Sequence, residues 1–348
     1  MIKIILTFDY ELPLGSVKSY EKGLFEPAEK IINLGKELNV SLCFFADICS
    51  AIKFKEWDKE GYYNPFKKQL QRALSYNHDV QLHIHPHWLT SEYNNRTFIP
   101  SSDFSLFNFS DERNYSIDKV INEGVKELSE ICKVADNSHK IIAYRAGGYS
   151  IIGKSNEIFK ALRNNGIKID SSILPNFYLK TPIYTLDFKS IKDNNWKTNG
   201  DDDFYEKSEN GIWEIPITNM PVSPVYILRR RMSKIINKSV FLECKYQNTG
   251  KSMHFGSVKK TFPEKLKELF NPVSLSFDSY QTNFKNLDKI VSYNIKKFEK
   301  KTNTIFITAI SHPKYFGDYN IALMEEFIVK LKKKYGKEVE FVSYKNLI

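Results

Sequence analysis

The chain has 348 residues, with 51 Lys and Arg against 41 Asp and Glu, a formal net charge of +10 and a pI near 9.1. That length can bury a large core in one domain or divide into two. Its four cysteines, Cys43, Cys49, Cys132 and Cys244, lack the paired spacing of a metal-binding or disulfide framework. The positive balance suits an anionic glycan, a phosphate-linked sugar or an anionic membrane surface, and no nucleic-acid recognition module accompanies it.

The N-terminus opens directly on a strand-like run, Lys3 to Phe8, without a basic region, long apolar stretch and cleavage site. No segment is apolar for long enough to span a bilayer. The expected location is the cytoplasm, with peripheral contact at the inner membrane surface allowed by the charge.

In chain order, strands are predicted at Ile4–Phe8, Ser41–Ala46, Val80–Ile84, Ile141–Tyr144, Ile167–Asp170, Gly211–Pro216, Val273–Phe277, Thr304–Ile310 and Val339–Val342. Helices are predicted at Glu26–Leu38, Phe66–Leu74, Ile117–Ala135, Ser155–Asn164, Phe284–Lys300 and Tyr319–Tyr335. The last three have apolar spacing near the helical period and Lys-rich outer faces. Strand–helix alternation of this kind argues for a parallel α/β domain. Two irregular stretches interrupt it: Leu89 to Arg113, rich in Ser, Asn, Asp and aromatics, and the polar, acidic Asn194 to Glu209, read as a surface loop. Residues 221–260 are basic and partly aromatic, including Arg229-Arg230-Arg231, and read as an insertion or lid within one domain spanning 1–348.

Chemistry-bearing residues gather at the predicted C-terminal ends of strands. Asp9 and Glu11 follow the first; His83, His85 and His87 end or follow the third. Arg145 ends the fourth, Asp170 the fifth, and His312 follows the eighth. Barrel enzymes build their sites on that face, where loops converge. The segment His83-Ile84-His85-Pro86-His87 holds three of the chain's seven histidines. Pro86 argues against a continuous helix there. An extended run into a bend puts the three imidazoles on one face, with the bend free to separate the last. With acids nearby, at least two of these histidines are expected to bind a divalent metal.

These residues resemble the motifs of the polysaccharide deacetylase superfamily, the NodB-homology or carbohydrate esterase family 4 group. Thr7-Phe8-Asp9-Tyr10-Glu11 resembles the first motif, usually Thr-Phe-Asp-Asp. The resemblance implies that Asp9 is the catalytic base and Glu11 the metal carboxylate, displaced one position because Tyr10 stands in the usual place. Residues Asn77 to His87 resemble the second motif, whose two ligands four residues apart imply His83 and His87 on the metal. His85 is then extra, orienting substrate or supporting a ligand, and His78 is a structural turn contact.

Tyr144-Arg145-Ala146-Gly147-Gly148-Tyr149 resembles the third motif. It implies that Arg145 holds the base carboxylate and that Tyr149 lines the pocket or donates from its backbone, with Gly147 where proline is usual. Asp170-Ser171-Ser172 resembles the fourth motif, and Asp170 is a candidate to tune His312; a helix-capping role accounts for it equally well. Ile310-Ser311-His312-Pro313 resembles the fifth, implying that His312 protonates the leaving amine.

The resemblance runs from Asp9 to His312 and implies a distorted or incomplete (β/α) barrel, often with seven core strands. It also implies metal-dependent hydrolysis of an N-acyl, typically N-acetyl, group on a sugar or polysaccharide, with Zn2+ as the leading metal. Trp88, Tyr93 and Phe98 suit a glycan surface. The rival expectations are a deformylase or other C–N amide hydrolase acting on a lipid-linked sugar, and a catalytically inactive glycan-binding module.

Overall fold

A nine-residue strand, β1 (Ile2–Tyr10), is buried along almost its whole length and organises the molecule. Apolar residues on both of its faces suit an interior parallel strand covered on each side. The computed structural model describes residues 1–13, 19–94, 97–113, 115–200, 207–225, 227, 232, 257–279 and 282–348.

Around β1 run β2 (Cys43–Asp47), β3 (Asp79–Ile84), β4 (Ala143–Ala146), β5 (Ile169–Asp170), the β6–β7 hairpin (Tyr178–Lys180 and Thr185–Asp187), β8 (Trp196–Thr198), β9 (Ile212–Glu214), β10 (Ile305–Ser311) and β11 (Val339–Phe341). The main sheet has the order β8-β9-β5-β4-β3-β2-β1-β10, and β11 pairs with the start of β1. Every pairing from β9 to β10 is parallel, while β8 is antiparallel to β9. Seven parallel strands thus form the curl, with one antiparallel strand appended, and the sheet is an incompletely closed (β/α) half-barrel, as expected. The gap is bridged by side chains: Asn194 donates to the Phe306 carbonyl and accepts from its N–H, and the Thr218 hydroxyl accepts from the Thr308 N–H.

The covering helices are α1 (Glu26–Glu37), α2 (Ile48–Trp57), α3 (Asn64–Ser75), α4 (Ile117–Lys133), α5 (Ser155–Asn164), α6 (Phe262–Leu269), α7 (Phe284–Phe298) and α8 (Asp318–Tyr335). In α4 the buried positions Ile117, Val120, Ile121, Gly124, Leu128 and Ile131 recur at helical spacing, and Ser116 caps the first turn by accepting from the Lys119 N–H. Gly124 lets α4 approach α2, since a Cβ there would lie 3.0 Å from Ile48. Among the described residues no helix is long and apolar enough to cross a membrane.

The predicted strands and helices are present with shifted ends, except that Val273–Phe277 is reduced to Val273–Ser274, paired with Asn219–Met220 outside the main sheet. The expectation omitted α2, α6, β8, the β6–β7 hairpin and a short hairpin of Glu92–Asn94 with Thr97–Ile99. The first follows β2 with no turn residue to separate them, so an apolar run hides a change of period. Cys43, Cys49 and Cys132 are buried and unpaired, and burial pushes each thiol up. Cys244 and most of the 221–260 insertion lie outside the described residues.

Candidate metal centre and its acid–base partners

Because seven strands are parallel, their C-terminal ends meet on one face of the half-barrel. β1 delivers Asp9 and, just beyond it, Glu11; β2 ends in Asp47; β3 leads through His83 to His85. Arg145 comes from β4, and His312 follows β10.

Glu11, His83 and His85 are buried, and one ligand atom from each lies within 4.8 Å of the others. The Nε2 of His83 is 3.1 Å from Glu11 Oε2, and His85 Nε2 contacts the same oxygen. His83 Nδ1 lies 2.8 Å from the Arg145 carbonyl. A carbonyl can only accept, so the Nδ1–H donates and Nε2 faces the cluster. Burial opposes the imidazolium, but Asp9 and Glu11 raise its pKa to about 9, so Nε2 donates to Glu11 in the metal-free protein, and loss of that proton would free its lone pair for a cation. His85 Nδ1 is buried without a partner. A Cβ on Gly147 would lie 2.5 Å from that atom, so glycine stands here in place of a bulkier residue to admit the ring.

Two nitrogens and a carboxylate, converging with an orphaned imidazole nitrogen beside them, fit a divalent cation. The other oxygen of Glu11 accepts from Lys314 Nζ at 2.5 Å. Burial opposes ionisation of Glu11, but Lys314 and His85, with hydrogen bonds from both histidines, hold it well below the usual carboxylate range.

The ligand set implied by the resemblance differs from this cluster. His87 begins a short helical turn, His87–Thr90, and its ring stacks on Phe104 with centroids 4.5 Å apart. Both of its ring nitrogens are buried without a partner, and it lies outside the Glu11–His83–His85 group. Pro86 turns the chain after His85, so the strand's alternation carries His83 and His85 inward together and swings His87 aside.

Asp9 is buried beside Arg145, whose Nη1 donates to Asp9 Oδ1 at 2.8 Å and to Thr7 Oγ1 at 2.7 Å. The rest of the guanidinium is tied to Ser171, through Nε to its carbonyl and Nη2 to its hydroxyl. Burial alone would raise the Asp9 carboxyl, yet Arg145, with His83 and His312, holds it below the ordinary value.

His312 Nε2 lies 3.6 Å from Asp9 Oδ2 and 3.7 Å from Glu11 Oε1. Its carboxylate partner is Asp278, not Asp170. Asp278 Oδ2 is 2.7 Å from His312 Nδ1, and Oδ1 accepts from the His312 N–H at 2.8 Å. Burial works against the imidazolium, but Asp278 and then Asp9 raise its pKa. Asp170 accepts from Ser172 at 2.6 Å and pairs in register with Glu214 across β5 and β9. Asp170 Oδ2 and Glu214 Oε2 have no donor, and one proton shared between the two carboxyls satisfies both.

Trp88 was expected at a sugar-facing surface. It is instead fully buried, with its Nε1 donating to Asp47 Oδ2 at 2.7 Å, while Asp47 Oδ1 accepts from the His85 N–H at 3.3 Å. Asp47 therefore clasps the histidine turn from beneath. Tyr149 adopts φ 59° and sits half-buried, its ring 6.0 Å from Phe177. Burial and the field of Asp9 raise its phenol well above the ordinary range. His78 is the structural contact expected of it, bonding the Ile32 carbonyl and the Leu42 N–H.

Sequence reasoning missed Asp47, Asp278 and Lys314. Asp47 carried the same strand-ending signal as Asp9 and was findable. Lys314, two residues past His312, had the look of an exposed lysine.

No family model and no curated protein matches the sequence. Solved structures similar to the chain include a probable polysaccharide deacetylase of Pseudomonas aeruginosa PAO1, at 11% identity over 99% of this chain and 89% of that one, with a TM-score of 0.49. Puue allantoinase is similar at 10% identity over 99% and 88%, also with a TM-score of 0.49. A GH57 branching enzyme of Thermococcus kodakaraensis follows at 11% identity over 99% and 70%, with a TM-score of 0.45. The three differ in chemistry, and the likeness selects none of them.

Proposed function

We propose that the protein is a metal-dependent amidohydrolase that removes an N-acyl group, in the first instance N-acetyl, from a sugar or surface polysaccharide. The observation that carries this reading is the placement of a carboxylate and an imidazole, Asp9 and His312, beside the buried Glu11–His83–His85 cluster. A structural barrel has no need of that combination.

Glu11, His83 and His85 would hold the metal, for which Zn2+ is the leading candidate. A divalent ion held there supplies a water of lowered pKa and polarises the amide carbonyl. Asp9, kept ionised by Arg145, accepts the proton of the attacking water. His312 carries its second proton on Nε2, because Asp278 fixes the Nδ1–H, and delivers it to the departing amide nitrogen. Thr7 and Ser171 lock the guanidinium and so fix the direction of the base. Tyr149 stands at the rim, next to the Phe177 ring, where it would meet substrate.

The test is metal analysis of purified protein combined with mass spectrometry of N-acetyl and N-formyl sugars incubated with it. Loss of an acyl mass that stops on chelation and returns with added zinc supports the reading, and the acyl group lost chooses between deacetylation and deformylation. Stoichiometric glycan binding without mass change, unaffected by Asp9→Asn, would instead mark a binding module.

A further inference from the structure

Helix α6 is amphipathic in the reverse sense. Its polar side faces the body of the protein: Lys180 Nζ donates to Glu264 at 2.6 Å, the Lys180 N–H donates to Glu268, and Lys267 Nζ donates to Asp187 at 2.7 Å. Just past its end, Asn271 exchanges two hydrogen bonds with the Tyr178 backbone. The apolar side faces out. Phe262 is 77% exposed, Leu266 44%, Leu269 46% and Phe270 36%, at positions i, i+4, i+7 and i+8 of one stripe, and the helix buries no residue. A surface helix ordinarily turns such a stripe toward the core.

Charge indicates what the stripe meets. Each acid beside it is matched by a lysine, Glu264 by Lys180, Glu268 by Lys260 and Asp187 by Lys267. Lys259 and Lys265 are left over and exposed. The sequence leading into the helix, 226–256, adds seven Lys and Arg against one acid, Glu243. Exposed Phe and Leu flanked by surplus cations match the chemistry of an anionic lipid surface, where apolar side chains enter the headgroup boundary and Lys and Arg meet the phosphates.

The stripe also lies at the site's end of the barrel. The β6–β7 hairpin that α6 grips begins just after Phe177, which packs on Tyr149, and Tyr184 on that hairpin closes over Gly148. We infer that α6 docks the protein on an anionic bilayer, with the mouth of the candidate metal centre held near the lipid surface. The docking stands on α6 alone; the corollary that the acylated substrate is membrane-anchored rests on the proposed function.

The experiment is co-sedimentation of full-length protein with phosphatidylcholine vesicles and with vesicles of equal phosphatidylcholine and phosphatidylglycerol. Wild type is expected to pellet with the anionic vesicles, at least tenfold less tightly on neutral ones and in high salt. Phe262→Ser/Leu266→Ser should lose tenfold or more in vesicle affinity, while keeping its melting temperature, metal content and activity on a soluble substrate. Lys259→Glu/Lys265→Glu, which leaves the stripe intact, should lose binding to anionic vesicles only. Wild type remaining in the supernatant, or the serine variant binding as well as wild type, overturns the inference. So does a serine variant that melts several degrees lower, which would place the stripe under the protein's own chain, or one that turns a dimer into a monomer, which would place it under a second copy. Vesicle binding by a protein that holds no metal would leave α6 docking intact and overturn the amidohydrolase reading alone.

Discussion

Lys314 Nζ lies 2.5 Å from Glu11 Oε1, and both side chains are buried within the candidate metal centre. Lys314 takes one carboxylate oxygen, and the other faces His83 and His85. Removing one partner of a buried ion pair leaves the other charge uncompensated, at a cost of about 3–5 kcal/mol. Lys314→Met should therefore destabilise the metal-free protein by about that much in urea unfolding, and saturating zinc, a new cation for Glu11, should recover much of the loss. A cost below about 1 kcal/mol would mean that the pair contributes no more than a surface one.

Asp9 and Glu11 share a strand end but differ in their expected roles. Asp9→Asn should keep stoichiometric metal and lower the hydrolysis rate by roughly 10²–10⁴-fold, the usual contribution of a positioned base. Glu11→Gln should weaken metal binding itself. Metal content and rate measured on the same preparations separate the two, and metal loss in Asp9→Asn would contradict the assignment.

The histidine turn shows how far the sequence was legible. Strand-ending acids and histidines pointed to one face of the half-barrel, where the structure gathers them, because parallel strands bring their C-terminal ends together whatever the details of packing. Asp9 beside Arg145, and His312 beside Asp9, could be anticipated on that ground. Which histidines point inward depends on the residue where β3 ends and on the turn at Pro86, and four-residue spacing alone does not encode that. Asp278 lies 34 residues before its partner His312, and no local pattern connects them. The closure of the barrel through Asn194 and Phe306, 112 residues apart, was equally invisible.

His85 and His87 accordingly give a sharp contrast. His85→Ala should abolish metal binding along with His83→Ala, whereas His87→Ala should retain stoichiometric metal and lose stability through the cavity left beside Phe104. Metal analysis of the two alanine variants decides between the cluster with His85 and the ligand pair four residues apart.

Asp278 raises the pKa of His312, so the imidazolium needed as acid persists to higher pH than it would alone. Asp278→Asn removes that support. The basic limb of the rate profile should move to lower pH, because the proton is lost earlier, with metal content unchanged. An unmoved basic limb would assign the limiting ionisation to a group other than His312.

Glu214 and Asp170 provide a pH effect on stability away from the metal cluster. Burial, and then the neighbouring Asp170, raises the Glu214 carboxyl well above its ordinary value near 4.5, so the folded protein holds a proton that the unfolded chain releases. Stability from this group is fully present below about that ordinary value and declines as pH rises toward the folded pKa. Glu214→Gln carries no such proton and keeps a donor toward Asp170. Its melting temperature relative to wild type should therefore rise as the pH is raised above about 4.5, the ordinary value at which the unfolded chain loses this proton. A constant difference across that range would show that the two carboxyls do not share a proton.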